Sequence, residues 1–207
     1  MFPIMVDVSS EKVVIVGGGV IAYHKVENLL RFHITPHVVS PEFHPSFDKL
    51  VKEGKVILHK KEAEWSDVQD AFLLILVTND EAVNDRLAAQ AKAAGKLVVH
   101  ASNPALGNAQ IPAVALRGKL VLSVSTSGAS PTLAKQIRNE LADVYDERYE
   151  AYLDFLHDIR QFVKEHAESR ADRQKWLKRA VEPIYLEQPE ERERFRRELA
   201  EEFQAVK

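Results

Sequence analysis

Short apolar runs alternate with helical patterns over the first hundred residues of the chain. The first run covers residues 13–16 and consists of branched side chains, and a segment with apolar residues at helical spacing follows it. Further runs of this kind occur at residues 37–40, 56–58, 72–77 and 97–100. A helix is also predicted over residues 81–94. Because continuous apolar runs are typical of parallel strands that are covered on both faces, we predict an α/β fold built on a doubly wound parallel sheet.

Three consecutive glycines follow the first run. Gly17, Gly18 and Gly19, together with Ala22, form a G-x-G-x-x-A pattern between a predicted strand and a predicted helix. This order is typical of Rossmann-type dinucleotide-binding sites, because glycine permits a tight turn and a close approach of phosphate to the backbone. The helix N-terminus adds unpaired N–H groups and a positive dipole end. The sequence therefore predicts an NAD-binding domain.

The loops that leave the second and fourth strands are expected to line the same crevice, since the carboxyl ends of parallel strands meet at one edge of the sheet. The predicted cofactor-binding residues are Gly17, Gly18, Gly19, Val20, Ile21, Ser40, Pro41, Glu42, Thr78 and Asn79. Ser40 stands roughly where NAD-binding folds carry an acidic residue for the ribose, and Glu42 follows two residues later. No Arg or Lys lies between Arg31 and Lys49 to meet a 2′-phosphate, which favours NAD over NADP.

The pattern changes after the fifth apolar run. A polar loop leads to an antiparallel hairpin, predicted over residues 113–117 and 120–125, which is either an extension of the sheet edge or a dimerisation element. Ser130 and Pro131 then suit the start of a helix, and the rest of the chain is helical and highly charged. We predict a Rossmann domain over residues 1–113, a hairpin-plus-helix region over 114–145 and a small helical domain over 146–207.

The composition narrows the classes of protein to which the chain can belong. Its 207 residues carry a net charge of −3, which gives no case for nucleic acid as a main partner. The absence of cysteine excludes disulfides, thiolate metal sites and a cysteine nucleophile, and it suits a reducing cytosol. No apolar run approaches the length of a membrane span, and the N-terminus lacks the pattern of a signal peptide. We therefore expect a cytoplasmic protein without nucleic-acid or membrane partners.

Four stretches occur in a characteristic order: VVIVGGGVIAYHK, PHVVSPE, LLILVTND and VSTSGASPTLAKQIR. Together they resemble the precorrin-2 dehydrogenase family, whose module is also found at the N-terminus of multifunctional siroheme synthases. The resemblance covers nearly the whole chain and is weakest over residues 146–207. It implies a homodimer that oxidises precorrin-2 to sirohydrochlorin with NAD. It also implies that residues 114–145 form the dimerisation region.

The loop after the fifth strand carries the candidate catalytic residues, which are His100, Ser102 and Asn103. Members of the resembled family usually have an aspartate just after this strand, and alignment on Pro104 and Pro112 puts Ser102 there, with Asn103 beside it. A carboxylate is the natural proton acceptor or metal-handling group, so its replacement disfavours chelatase activity. Histidine is the side chain best suited to proton transfer near neutral pH, so His100 is either a general base or a buried, hydrogen-bonded strand end.

The substrate that the resemblance implies is a tetrapyrrole with many carboxylates. A hydroxyl-rich turn before the predicted helix suits such groups, since helix N-termini bind anions. The predicted substrate-binding residues are Ser125, Thr126, Ser127, Gly128 and Ser130. No metal-ligating residues are predicted, because the histidines lack ligand spacing. Two alternatives remain open: a bifunctional dehydrogenase and sirohydrochlorin ferrochelatase, and a non-catalytic NAD-sensing module of the same fold.

Overall fold

The computed structural model describes residues 1–204, which fall into two compact units, the first of which ends at Ile111. The strands of the first unit are β1 (Val13–Val16), β2 (His37–Ser40), β3 (Ile57–Lys60), β4 (Leu73–Leu76) and β5 (Leu97–His100). Its α-helices are α1 (Val20–Leu30), α2 (Phe47–Lys52), α3 (Trp65–Val68) and α4 (Glu81–Ala93). All neighbouring strands are parallel, in the order β3-β2-β1-β4-β5. The predicted doubly wound parallel sheet is thus confirmed.

Helices cover the sheet on both faces, because alternate residues of each strand point to opposite sides. In β1, Val13 and Ile15 pack with residues of α1 and α2, whereas Val14 and Val16 pack with residues of α3 and α4. All four side chains are buried. Burial on both faces explains why this strand has no polar residue in its sequence.

The third strand lies later in the chain than the pattern predicted. The apolar run at residues 56–58 predicted the strand, but β3 begins at Ile57 and continues through the polar residues His59 and Lys60. These two residues stand opposite Val39 and Ser40 of β2 in the parallel register. As the edge strand of the sheet, β3 carries half-exposed and exposed side chains, so apolar residues do not mark its end.

The second unit begins with an antiparallel hairpin of β6 (Ala113–Arg117) and β7 (Leu120–Val124), followed by α5 (Pro131–Val144). The predicted hairpin and helix are confirmed. Within the described residues 113–144, Ala115 and Ala134 are the buried ones. The apolar residues Leu133 and Val144 of α5 remain 46% and 64% exposed.

Four helices complete the second unit: α6 (Arg148–His166), α7 (Arg170–Ala180), α8 (Ile184–Glu187) and α9 (Glu191–Gln204). They enclose an aromatic-rich core whose buried members include Tyr152, Phe155, Ile159, Trp176, Phe195 and Leu199. The division of the chain at residues 113/114 and 145/146 stays a prediction. No helix within residues 1–204 has both the length and the apolar character needed to cross a membrane.

Candidate cofactor-binding cleft and neighbouring loops

A cleft of about 630 Å³ opens where the strands of the first unit end. Segments that follow β1, β2, β3 and β4 line it, together with the first turns of α4. Nine of the ten predicted cofactor-binding residues belong to this lining: Gly17, Gly18, Gly19, Val20, Ser40, Pro41, Glu42, Thr78 and Asn79. The tenth, Ile21, is not part of the lining, and it is 59% exposed. Loops from separate strands thus converge on one cleft, as a dinucleotide site of this fold requires.

The first two glycines of the turn are required by the packing of the protein itself. Gly17 has a φ of +125°, which favours glycine, and a Cβ there would lie 2.9 Å from the carbonyl oxygen of Val77. A Cβ on Gly18 would lie 2.0 Å from the carbonyl oxygen of Glu42. The N–H of His44 also donates to the Gly18 carbonyl at 2.8 Å, which ties the turn to the loop after β2.

The third glycine differs, because no atom of the described residues stands where its side chain would be. A Cβ on Gly19 would meet no heavy atom within 4 Å, and Gly19 lines the open cleft. Gly19 is also the N-cap residue of α1, and no side chain caps this helix. The first N–H groups of α1 are therefore available to an anion. This arrangement fits a dinucleotide pyrophosphate, which needs a close approach to the backbone and several N–H donors.

Ser40 and Glu42 form the wall of the cleft that follows β2. Ser40 is only 8% exposed, and its hydroxyl has no hydrogen bond to another described residue. Glu42 is exposed, and its carboxylate has no ion pair within residues 1–204. A hydroxyl oxygen and a carboxylate are suitable acceptors for the hydroxyl groups of a ribose.

The loop after β4 is held rigidly by its own hydrogen bonds. Thr78 Oγ1 donates to Asn84 Oδ1 at 2.9 Å, and Asn84 Nδ2 donates to the Thr78 carbonyl at 2.9 Å. Asp80 caps α4 by accepting the N–H of Val83 at 3.1 Å. The side chain of Asn79 is exposed and has no partner among the described residues. The hydroxyl of Thr78 thus stabilises the loop, whereas the side-chain amide of Asn79 is available to bind a ligand.

Several lining residues were missed by the sequence reasoning, namely Phe43, His44, Glu62, Ala63, Val83 and Arg86. Glu62 and Ala63 follow β3, so the rule that identified the loops after β2 and β4 would have found them at β3 as well. Arg86 lies three residues after Val83 on α4, and this spacing puts both on one face of the helix. Its place in the cleft depends on how α4 packs, which no local pattern reveals.

His100 is buried at the end of β5, and both of its ring nitrogens are engaged. Its Nδ1 accepts the N–H of Asn103 at 3.0 Å, and its Nε2 lies 3.0 Å from Oδ1 of Asp85. These partners assign the proton to Nε2, so the ring has no free lone pair. This geometry favours the buried, hydrogen-bonded interpretation of His100 over a role as general base. Ser102 and Asn103 are exposed, and none of the three catalytic candidates lines the cleft.

The hydroxyl-rich turn of the second unit is closed by its own hydrogen bonds. Thr126 Oγ1 donates to the carbonyl of Ser130 at 3.0 Å and accepts its N–H at 3.1 Å. Ser130 Oγ accepts the N–H of Leu133 at 3.2 Å, which caps α5 as predicted. Ser125 Oγ accepts the N–H of Ser127 at 3.1 Å. These hydroxyl groups therefore shape the turn, and its use in substrate binding stays a prediction.

The side chains of residues 1–203 include no group of three or more His, Cys, Asp or Glu residues that could hold a metal ion.

Three family models match consecutive parts of the chain. A model described as putative NAD(P)-binding matches residues 4–113. A model of the central part of sirohaem biosynthesis proteins matches residues 117–143, and a model of the SirC C-terminal domain matches residues 149–195. The first match shows that the cofactor is an NAD(P) dinucleotide, and its range includes every residue that lines the cleft.

Two precorrin-2 dehydrogenases, a siroheme synthase and one solved structure resemble the chain over most of its length. The precorrin-2 dehydrogenase of Priestia megaterium is 32% identical over 89% of this chain and 91% of its own. That of Bacillus subtilis is 32% identical over 78% and 99%. The siroheme synthase of Nitrosomonas europaea is 33% identical over 81% of this chain but only 36% of its own. A solved structure of SirC, precorrin-2 dehydrogenase, has a TM-score of 0.79 and 30% identity, and covers 97% of this chain and 100% of that one.

Proposed function

The chain belongs to the precorrin-2 dehydrogenase family, and on that premise we propose that it oxidises precorrin-2 to sirohydrochlorin with NAD as the hydride acceptor. The observation that carries the proposal is Gly19, a glycine that the packing of the protein does not need. It stands at the uncapped start of α1 and lines a cleft of about 630 Å³. A bound pyrophosphate accounts for the glycine and for the unpaired N–H groups together.

The oxidation removes a hydride and a proton from the substrate. NAD, when bound, supplies the hydride acceptor, so the residues of the protein mainly bind and orient. The glycine turn and the start of α1 would hold the pyrophosphate, and Ser40 and Glu42, which line the cleft, would hold the adenosine ribose. Asn79 supplies a free amide beside them. The negative charge of Glu42 opposes a 2′-phosphate, which favours NAD over NADP.

The loop after β5 orients the substrate in this proposal. Ser102 and Asn103 offer exposed polar side chains, but neither is a base near neutral pH. His100 acts as a positioning residue, because its ring holds the backbone of Asn103 and has no free lone pair. The proton therefore passes to water rather than to a side chain of this loop.

We propose that the chain has no chelatase activity. The family resemblance implies an aspartate at the position of Ser102, and a hydroxyl group does not replace a carboxylate in proton or metal transfer at neutral pH. A chelatase assay with sirohydrochlorin and Fe²⁺ or Co²⁺ tests this point. Insertion of the metal at the spontaneous rate is the expected result, and a protein-dependent excess over that rate would overturn it.

We also propose a homodimer in which the hairpin and α5 form the interface. Leu133 and Val144 expose apolar surface, and the hairpin and helix bury little within one chain. A second copy that covers this surface would remove it from water. The turn of Ser125, Thr126, Ser127, Gly128 and Ser130 would bind carboxylates of precorrin-2 at the start of α5. A cytoplasmic location completes the proposal, and the absence of cysteine suits it.

Incubation of the purified protein with precorrin-2 and NAD tests the central proposal. NADH is expected to form in proportion to the sirohydrochlorin spectrum, and Gly19→Asp is expected to abolish both while the protein stays folded. If the wild-type protein binds NAD but forms no NADH, the non-catalytic NAD-sensing alternative is supported instead. Ser102→Ala is expected to reduce the rate far less than Gly19→Asp, because Ser102 orients the substrate but accepts no proton.

A further inference from the structure

Arg86 lies on the wall of the cofactor cleft, and its guanidinium has no polar partner among the described residues. It lies in the second turn of α4 and is exposed. Within the described part of the chain it makes no hydrogen bond and no ion pair. Other arginines in the same chain do find carboxylates, as Arg179 does with Glu198 and Arg196 with Asp158. The free guanidinium of Arg86 therefore does not contribute to the fold through any polar contact.

The charge of the cleft gives Arg86 a particular importance. Among the described residues that line the cleft, it is the one Lys or Arg, whereas Glu42, Glu62 and Asp80 contribute carboxylates. The expected ligand is itself an anion at its pyrophosphate. Without Arg86, that ligand would enter a cleft whose charged side chains are all carboxylates, apart from any protonated histidine. A single cation in such surroundings has a strong effect on the affinity for an anionic ligand.

The position of Arg86 in the cleft indicates which half of the dinucleotide it lies beside. In a Rossmann fold the pyrophosphate lies at the start of α1 and the adenosine ribose lies at the end of β2. The sheet order places β3 beyond β2, so Glu62, which follows β3, lies on the adenosine side. Ala63 belongs to a hydrophobic cluster against which Val83 packs, and both residues line the cleft together with Arg86. Arg86 thus lies on the wall that faces the adenosine half.

We propose that Arg86 binds the adenosine half of NAD, with the plane of its guanidinium against the adenine ring. An arginine side chain stacks on aromatic faces, and the contact gains strength where water is displaced. Glu42 keeps its proposed role at the ribose hydroxyl groups, so the guanidinium is assigned to the adenine ring and not to a 2′-phosphate. The inference rests on the NAD site of the proposed function, and it adds a contact that no local sequence pattern indicates.

Calorimetric titration of the full-length protein with NAD, ADP and nicotinamide mononucleotide tests the contact. Arg86→Gln removes both the positive charge and the planar guanidinium group. The variant is expected to keep the fold, because Arg86 has no polar partner within residues 1–204. We expect its Kd for NAD and for ADP to rise roughly 3- to 30-fold, the range of a cation–π contact. The Kd for nicotinamide mononucleotide is expected to stay unchanged, since that ligand has no adenine.

Lys92→Gln is the matched control. It removes the same charge from the exposed last turn of α4, outside the cleft, and is expected to leave all three affinities unchanged. Wild-type affinity of Arg86→Gln for ADP would overturn the proposal. An equal loss with Lys92→Gln, or an equal loss for nicotinamide mononucleotide, would also overturn it, because the effect would then be one of net charge. A wild-type protein that binds NAD without oxidising precorrin-2 rejects the proposed function but not the role of Arg86.

Discussion

Nε2 of His100 lies 3.0 Å from Oδ1 of Asp85, and this pair links the end of β5 to helix α4. The His100 ring is buried, whereas the side chain of Asp85 is 52% exposed. Because Nδ1 of the same ring accepts the N–H of Asn103, His100 also fixes the start of the loop after β5. One imidazole thus connects a helix whose first turns line the cofactor cleft to the loop in which we place substrate contacts.

Loss of the His100 ring is expected to destabilise the protein. His100→Ala leaves the N–H of Asn103 without its acceptor and creates a cavity at the end of β5. We expect the free energy of unfolding to fall by about 1–3 kcal/mol, from the lost part-buried hydrogen bond and the cavity together. Urea denaturation followed by circular dichroism measures this change.

The variant Asp85→Asn is the control for this pair. Its amide oxygen still accepts the proton of His100 Nε2, and Asp85 is half exposed, so we expect a loss below about 1 kcal/mol. The pH dependence of precorrin-2 oxidation is expected to keep its wild-type shape in Asp85→Asn. A stability of His100→Ala equal to that of the wild type would contradict the structural role of the ring.

Substitution by alanine is expected to affect the stability of the protein at Gly18 but not at the neighbouring Gly19. Gly18→Ala places a Cβ 2.0 Å from the carbonyl oxygen of Glu42, so the backbone must move, and we expect a loss of stability of about 1–3 kcal/mol. Gly19→Ala meets no protein atom, so the stability is expected to stay near that of the wild type while NAD binding weakens. Thermal unfolding and NAD titration on both variants separate these effects. Equal melting temperatures for the two variants would contradict the assignment.

A pair of histidines on the neighbouring strands β2 and β3 is expected to make stability depend on pH. His37 Nδ1 lies 3.0 Å from His59 Nε2. Burial, followed by the positive charges of Lys12 and His59, lowers the pKa of His37 below its ordinary value of 6.5. The folded protein therefore favours the neutral ring. The neutral ring of His37 contributes fully to stability above pH 6.5. This contribution is lost as the pH falls through the lower pKa of His37 in the folded protein.

The variant His37→Gln is expected to reduce this dependence. Between about pH 7 and pH 5, its free energy of unfolding should fall less steeply than that of the wild type, since Gln does not titrate. Urea denaturation at several pH values measures both slopes. If the two slopes coincide, His37 does not carry the pH dependence.

The oligomeric state is expected to depend on the apolar surface of α5. Val144 is 64% exposed, and Val144→Glu places a charge on the surface that we assign to the dimer interface. We expect this variant to elute as a monomer, whereas the wild type elutes as a dimer, with masses determined by light scattering. Val181→Glu is the matched control, because Val181 is 56% exposed but lies outside the hairpin and α5. A dimer of unchanged strength in Val144→Glu would place the interface elsewhere.

The sequence patterns did not predict the shortest helices of the fold. Helices α3 and α8 have four residues each and α2 has six, so none completes the two turns in which a helical period becomes visible. The long helices and the buried strands were predicted because their apolar positions repeat or run together. Edge strand β3 was displaced for the opposite reason, since its later residues are polar.

Local sequence determined the class of the fold and the position of the cofactor turn. A buried strand, three glycines and a helix are neighbours in the chain, and their backbone requirements are expressed within about ten residues. Only the tertiary structure distinguished the glycines, because Gly18 is required by the loop after β2 and Gly19 by no protein atom.

The tertiary structure alone also determined the contacts between residues that are distant in sequence. The pairing of His100 with Asp85, and the presence of Glu62 and Arg86 in the cleft, depend on how β3, α4 and β5 pack around the central strand. Burial and charge neutralisation act between residues that are distant in sequence. A linear pattern therefore predicts the elements but not which side chains meet where those elements end.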